Sequence, residues 1–267
     1  MRVLTWNIWW HFWEWEARRP LVAGTVLANR PDVVLLQEAS PDQAEAVAEA
    51  CGLSVVGYFG TPLVPAFSPE LADVPFGNAV LADPATVSEP LSLDYRNGDG
   101  RAQRGAVGVF STVLGPKVFL ASTHLSSSVD AGAVRSQQME QITAWVDELG
   151  ADGPAVIGGD LNQVPSSDEY RSSIEPHWVD LWTMARPGEP GSTMVAGNPN
   201  IAGYDWMGPR NGPGGPTDGV RFDYLLARRG GAKDAGGLRV ASIEVIGTAV
   251  DGWPSDHCGV VAELTVS

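Results

Sequence analysis

The chain has 267 residues, 44% of them hydrophobic, so it can bury the core of one large α/β domain, and wholesale disorder is excluded. Its formal net charge is −15, from 32 acidic and 17 basic residues. Proteins that grip nucleic acid neutralise several phosphates with Lys and Arg, so this charge argues against stable nucleic-acid binding, although a metal-dependent nuclease is compatible with it.

The first fifth of the chain alternates apolar strands with helices. Apolar runs bounded by turn residues predict strands at residues 2–8 and 32–38, with a helix at 15–29 between them. Pro20 is expected in the first turn of that helix or at its start, where a missing N–H costs little. A second helix is predicted at residues 42–51.

The remainder of the chain is richer in strands. They are predicted at residues 77–81, 88–94, 106–112, 117–123, 155–159, 222–227, 239–247 and 259–266. Apolar residues near a 3.6 period predict a helix at 131–149, and the Gly, Pro and Asn content of 188–219 predicts a long loop. Many strands with few helices favour two sheets packed face to face with helices outside, in a single domain over residues 1–267.

Five of these strands end in carboxylate, amide or imidazole groups. A strand that delivers such groups at its end is usually building a site, and this mixture suits a hard cation and a phosphoester. The residues are Asn7, Glu38, His124, Asp160 with Asn162, and Asp256 with His257.

Each residue has a structural alternative. Glu38 is a metal ligand or a solvated strand end, and Asn7 is a ligand partner or a turn residue. His124 is a phosphate contact or a structural histidine. Asp160 and Asn162, at i and i+2, serve an attacking water and a phosphate oxygen, or else form an Asx turn. Gly158 and Gly159 before them allow a close approach of the backbone.

The last part of the chain adds a candidate dyad. Asp223 lies inside an apolar run, which is costly for a carboxylate unless it is paired. We expect its partner to be the imidazole of His257, with a carboxylate that caps backbone amides as the alternative. Asp256 and His257 together are a metal ligand and a phosphoryl contact, or an exposed turn without a function.

Eight short segments, in order and spacing, resemble the endonuclease/exonuclease/phosphatase family over residues 3–261. The similarity is nearest to its bacterial metal-dependent hydrolase and sphingomyelinase-like branch. The segments are Thr5–Trp6–Asn7, Leu36–Gln37–Glu38, Gly77–Asn78–Ala79, Arg104–Gly105–Ala106, Thr123–His124–Leu125, Gly159–Asp160–Leu161–Asn162, Asp223–Tyr224 and Ser255–Asp256–His257.

The resemblance implies a four-layer α/β sandwich of two mainly antiparallel sheets, and phosphoester hydrolysis that depends on Mg²⁺ or Mn²⁺. It implies metal ligation by Glu38, with Asp256 and Asn7 close to the metal. The implied catalytic residues are His124, Asp160, Asn162, Asp223 and His257, and the implied substrate contacts are Asn78 and Arg104. Whether Asp160 or His257 is the general base, and whether one ion or two bind, stays open.

Departures from the nucleases bear on the substrate. The chain shows no evident counterpart of the basic and aromatic loops that hold a duplex, so we expect a small or lipid-like phosphoester. A nuclease of the same fold is the alternative, and an inactive binding module is a third. The tryptophans at residues 6, 9, 10, 13 and 15 are expected in the core, with a place at the mouth of the site as the other interpretation.

Cysteine content and the N-terminus bear on the compartment. Cys51 and Cys258 are too few for a disulfide framework, and Cys258 is expected to be a small buried side chain. No apolar run approaches the roughly 20 residues of a membrane span. The sequence enters a strand without a visible signal peptide, so we expect a cytoplasmic protein, although a trimmed secretory leader is compatible with it. Oligomeric state is left open.

Overall fold

Two six-stranded sheets form the centre of the computed structural model, which describes residues 1–63, 69–98, 100, 103–149, 153–201, 219–230, 235–249 and 252–266. The helices are α1 (Trp15–Asn29), α2 (Pro41–Cys51), α3 (Gly132–Glu148), α4 (Asp168–Ser173) and α5 (Leu181–Ala185). The strands are β1 (Arg2–Asn7), β2 (Val33–Ala39), β3 (Ser54–Pro62), β4 (Pro75–Ala82), β5 (Leu91–Asp94), β6 (Gly105–Ser111), β7 (Val118–His124), β8 (Ala155–Asp160), β9 (Trp178–Asp180), β10 (Met194–Val195), β11 (Gly219–Val220), β12 (Asp223–Arg228), β13 (Leu238–Ile246) and β14 (Gly259–Val266).

Both sheets are mainly antiparallel. The first sheet has the order β13-β14-β1-β2-β4-β3, and the second has the order β5-β6-β7-β8-β12-β9. Each contains one parallel pair, β1 with β2 and β7 with β8. A short ribbon of β10 and β11 lies outside them. The predicted fold class is confirmed.

The four layers follow from the alternation of side chains along the central strands. In β2, Val33 and Leu35 pack in the core between the sheets, whereas Val34 and Leu36 pack beneath α1 and α2. In β12, Leu225 joins the core between the sheets, while its neighbours join the core beneath α3. Strands buried on both faces read as continuous apolar runs, which is why the sequence revealed them.

Three details differ from the sequence prediction. Pro20 lies in the second turn of α1, because the helix begins at Trp15 and the buried Trp15, Arg18 and Val22 hold it against the sheet. The strand predicted at 88–94 begins only at Leu91. The short strand β10 lies within the predicted loop 188–219 and β11 begins at its last residue, while residues 202–218 fall outside the described residues.

Two strands of the six-stranded sheets were missed. Strand β3 pairs along β4, and its glycines at 57 and 60 interrupt the apolar alternation that would have revealed it. Strand β9 has three residues, too short for a periodic pattern.

Gly159 permits the close contact of the parallel strands β7 and β8. A Cβ atom at this position would lie 1.8 Å from the carbonyl oxygen of Thr123. At Gly158 a Cβ would meet Leu35 of the opposite sheet at 2.6 Å. Gly159 therefore allows the close approach of the backbone that the sequence predicted, and Gly158 leaves room for the Leu35 side chain between the sheets.

We expect Gly159→Ala to lower the free energy of unfolding by at least about 2 kcal/mol, since backbone must shift to admit the methyl group. Gly24→Ala is the matched control, because a Cβ at this exposed position of α1 meets nothing within 4 Å. It should be neutral or stabilising by about 0.5–1 kcal/mol. Urea denaturation measures both, and equal stability of the two variants would contradict the packing account.

Candidate active site

Strand ends from both sheets meet at one edge of the sandwich. The parallel strands β1, β2, β7 and β8 end there, and the antiparallel β12 and β14 begin there. In the second sheet, His124 of β7 lies beside Asp160 of β8, which lies beside Asp223 of β12. Residues far apart in sequence therefore become neighbours through the strand register alone.

Tight turns at the strand ends aim these side chains. Asn7 Oδ1 accepts from the Trp9 amide at 3.0 Å, and Asp160 Oδ1 accepts from the Asn162 amide at 2.9 Å. Both are Asx turns. The turn interpretation and the site interpretation of Asp160 and Asn162 are thus compatible, because the turn leaves Asp160 Oδ2 facing the site and gives Asn162 a left-handed φ of 52°.

A β-bulge places Glu38. The register between β2 and β4 shifts between Leu36 and Ala39, and Glu38 has a φ of 47°. Left-handed backbone is unfavourable for a residue with a side chain and persists where surrounding contacts impose it. Here Gln37 supplies them: its buried amide donates to Ser122 Oγ of the opposite sheet at 2.9 Å.

Asp160 lies within 3.7 Å of three other site residues. Its Oδ2 accepts from Asn7 Nδ2 at 3.1 Å across the two sheets, and it lies 3.4 Å from His124 Nε2 and 3.7 Å from His257 Nε2. The other ring nitrogen of His257, Nδ1, donates to Asp223 Oδ2 at 2.8 Å. The structure thus contains the expected contact between Asp223 and His257, with Asp223 buried.

His124 lies between cationic and amide groups. Arg104 Nη1 donates to its Nδ1 at 2.8 Å, so Nδ1 is unprotonated and the neutral ring carries its proton on Nε2. Burial, with Arg104 and His257 nearby, lowers the pKa of His124 well below its usual value. The Asn162 amide lies 3.1 Å from Nε2, and Glu38 Oε1 lies 3.9 Å from it.

The carboxylates of the site are crowded and desolvated. Burial and the neighbouring Asp256 raise the pKa of Glu38 to about 8. Burial and Asp223 raise the pKa of Asp160 to about 6, and burial also raises that of Asp256. Burial by itself would lower the pKa of His257, but the surrounding carboxylates Asp223, Asp256 and Asp160 raise it well above its usual value. These shifts favour the protonated form of His257 and the neutral form of His124.

This donor set fits a hard divalent cation. Ligand atoms of Glu38, His124 and Asp160 lie within 4.8 Å of one another, and so do those of Asp160, Asp223 and His257. Asp256 belongs to neither group, but its charge acts directly on Glu38. The pKa values of these desolvated carboxylates are raised because too little positive charge surrounds them, and a bound cation would supply it. Sites rich in oxygen ligands favour Mg²⁺ or Mn²⁺. Asn7 Oδ1, already bonded to the Trp9 amide, has a second lone pair for such an ion.

The two predicted substrate contacts come from different sheets: Asn78 lies in β4 of the first sheet, and Arg104 directly precedes β6 of the second. Asn78 is buried; its amide nitrogen donates to Gly105 O at 3.0 Å, while its Oδ1 has no hydrogen-bond partner. Arg104 contacts His124 and Ser127, and its guanidinium lies 5.3 Å from the centre of the Phe76 ring. Asn78 therefore supports the backbone beside Arg104, and Arg104 lies against His124.

Arg18 supports the site, although no sequence pattern predicted it. Its guanidinium is buried and donates to six backbone carbonyls at 2.8–3.1 Å. Five belong to residues 8–13 and the sixth to Pro254, two residues before Asp256. It also lies 5.1 Å from the centre of the Trp9 ring. No local pattern distinguishes Arg18 from the exposed Arg19 beside it, so its role becomes visible only in three dimensions.

The loop that Arg18 holds has an unusual backbone. Trp9, Trp10, Trp13 and Glu14 all have positive φ values, between 27° and 63°. Trp9 N is bonded to Asn7 Oδ1, and Trp10 N donates to Glu38 O at 2.7 Å. Trp10 is buried as predicted for the core, whereas Trp13 is 73% exposed. The loop thus connects Arg18 to the backbone of Glu38 and the side chain of Asn7.

We expect Arg18→Lys to lower the free energy of unfolding by about 2–3 kcal/mol, because an ammonium group cannot reach six carbonyls and leaves buried acceptors unsatisfied. Arg19→Lys, an equivalent change on the exposed face of α1, should change it by less than about 0.5 kcal/mol. Urea denaturation of both variants checks the prediction. A lysine at position 18 as stable as arginine would show that the carbonyl contacts are dispensable.

The cysteine predicted to be a small buried side chain, Cys258, is buried in the structure. Cys51 is half-buried, and both are free thiols. Among the helices that the structure describes, none combines the length and apolar character needed to cross a membrane.

The sequence profile of the Endonuclease/Exonuclease/phosphatase family matches residues 4–257. Solved structures with the same fold include the human Nocturnin catalytic domain with bound sulfate, at a TM-score of 0.74 and 20% identity, covering 100% of this chain and 93% of that one. Zebrafish (D. rerio) TDP2 complexed with a single-strand DNA product has a TM-score of 0.73 and 16% identity, covering 100% and 99%.

A bacterial structure is also similar. The endonuclease/exonuclease/phosphatase from Beutenbergia cavernae has a TM-score of 0.69 and 23% identity, covering 100% of this chain and 72% of that one. No curated protein matches the sequence significantly. At these identities the solved structures establish the fold, and the profile match establishes the family.

Proposed function

This chain belongs to the endonuclease/exonuclease/phosphatase family, and we propose that it is a divalent-metal-dependent hydrolase of a small or lipid-like phosphoester. One observation carries the proposal. Three desolvated carboxylates have raised pKa values at a point where strand ends of both sheets meet: those of the buried Asp160 and Asp256, and that of Glu38, whose side chain is 15% exposed. A structure rarely concentrates buried charge in this way unless the site has a function.

Glu38, Asp256 and Asn7 would hold the ion, Mg²⁺ or Mn²⁺. When bound, it would neutralise phosphoryl charge and lower the pKa of water. The bulge at Glu38 and the turn at Asn7 fix both side chains before any ligand arrives, which lowers the entropy cost of binding.

We assign the general base to Asp160. Its pKa of about 6 is close enough to neutrality for a carboxylate to accept the proton of an attacking water. His257 is a cation held by Asp223, so its Nε2–H is suited to stabilise negative charge that develops on the phosphoryl oxygens. A protonated imidazole cannot also be the base, which favours this division of roles.

The neutral His124 and the Asn162 amide are proposed to hold phosphate oxygens. His124 offers a proton on Nε2 because Arg104 occupies its Nδ1. Arg104 itself adds positive charge near the phosphate, and Asn78 positions the strand that carries it. Arg104 and Asn78 are therefore proposed to be substrate-binding residues.

The proposed substrate class rests on the net charge of the protein. A net charge of −15 opposes a long polyanion, which favours a small or lipid-like substrate. A nuclease is the second candidate, favoured by the similarity to a TDP2 structure that contains single-strand DNA. A cytoplasmic location is part of the proposal, and cell fractionation tests it.

Hydrolysis of bis-p-nitrophenyl phosphate with Mg²⁺ or Mn²⁺ tests the proposal. We expect turnover that EDTA abolishes and that Glu38→Gln reduces by at least about 100-fold, since the neutral amide is a poor metal ligand. Glu49→Gln makes the same change on the exposed face of α2 and should keep full activity.

Thermal unfolding should show that Glu38→Gln folds normally, because the amide carries no charge to bury. Unchanged turnover in this variant would refute the site assignment. A plasmid-nicking assay on the same samples separates the two candidate functions, since nicking faster than diester turnover would favour the nuclease.

A further inference from the structure

A cavity of about 350 Å³ lies directly beside the candidate active site. Asn162 forms one wall, and the amide of the same residue lies 3.1 Å from His124 Nε2. A phosphate held by these two side chains would therefore have an oxygen at the entrance of the cavity. The volume is within the range of small-molecule sites, roughly 300–1,000 Å³.

The walls of the cavity are partly apolar. Val129, in the loop after β7, is 44% exposed, so it lines the cavity without belonging to the core. Val164, after β8, packs on the buried cluster that contains Met194 and Phe222, and it forms a fixed wall. Ser167 Oγ, which accepts from the Tyr170 amide at 3.1 Å, is the main neutral polar group.

The charged side chains that line the cavity already have partners. Arg135 Nε and Nη2 donate to the carboxylate of Glu169 at 3.0–3.2 Å, and its Nη1 donates to the carbonyls of Ser126 and Ser128. Asp168 is bonded to Arg171 at 2.6 Å. Within the described lining, Arg135 is the one cationic side chain, and all five of its N–H groups are used.

We propose that this cavity receives an uncharged, partly apolar ester arm of the phosphate substrate. The proposal rests on the proposed function, since it places the phosphate at His124 and Asn162. An anionic arm, such as a second phosphate, would lose its hydration here and gain no cationic partner, since the Ser167 hydroxyl is a neutral donor, and it would lie near the carboxylates of Asp168 and Glu169. An apolar arm gains from burial against the two valines.

Binding of three probes in the presence of Mg²⁺ tests the proposal: inorganic phosphate, phenylphosphonate and 4-carboxyphenylphosphonate. Each phosphonate has a single arm, so its position is unambiguous. By isothermal titration calorimetry, phenylphosphonate should bind about tenfold more tightly than 4-carboxyphenylphosphonate, a difference of ~1.4 kcal/mol. Val129→Arg supplies an unengaged guanidinium at the cavity and should shrink that ratio by about tenfold.

Val113→Arg is the matched control. Val113 is a partly exposed valine in the turn between β6 and β7, at the end of the sheet away from His124. An arginine at this position adds the same charge far from the cavity. This variant should leave the ratio within about twofold. A ratio near one in the unmodified protein, or the same ratio after Val129→Arg, would overturn the proposal while phosphate still binds. Failure of all three probes to bind would overturn the proposed function, and this inference with it.

Discussion

Electrostatic repulsion among buried carboxylates is the constraint to which the rest of the structure responds. Glu38, Asp160 and Asp256 share a desolvated region, and each is harder to ionise there than in water. Such an arrangement persists only where the surrounding scaffold is rigid. The imidazolium of His257 offsets part of the charge, and a divalent cation would offset the rest.

The scaffold supplies that rigidity by two means. Strand register places His124, Asp160 and Asp223 side by side, and hydrogen bonds between the sheets, from Asn7 to Asp160 and from Gln37 to Ser122, fix how the sheets face each other. Backbone groups are then held by buried donors, of which the Arg18 guanidinium makes the most contacts. Because the site is built from both sheets, loss of any of these contacts would move ligand atoms relative to one another.

The same physics explains what the sequence could predict. Central strands such as β2 are buried on both faces and read as apolar runs, and helix α1 was predicted with its observed bounds. The strand-end residues were identifiable because polar groups at the ends of apolar runs are conspicuous, and the structure brings them together. Their chemical roles stay predictions.

The structural features that the sequence did not predict depend on long-range contacts. Strand β3 was hidden by its glycines, and Pro20 lies in the second turn of α1 and not the first, since buried residues on both sides of it hold the helix against the sheet. The bulge at Glu38 and the carbonyl contacts of Arg18 have no local signature. Sequence patterns record which face of an element is apolar, whereas these features are set by residues distant in the chain.

Proton release on metal binding tests the central claim most directly. Mg²⁺ titrated into metal-free protein, by calorimetry in buffers of different ionisation enthalpy, reports how many protons leave the site. A pKa of about 8 keeps Glu38 largely protonated at pH 7. Binding of Mg²⁺ at pH 7 should therefore release ~one proton, and the number released should fall as the pH rises above 8. Absence of Mg²⁺ binding, or binding without proton release at pH 7, would contradict the account.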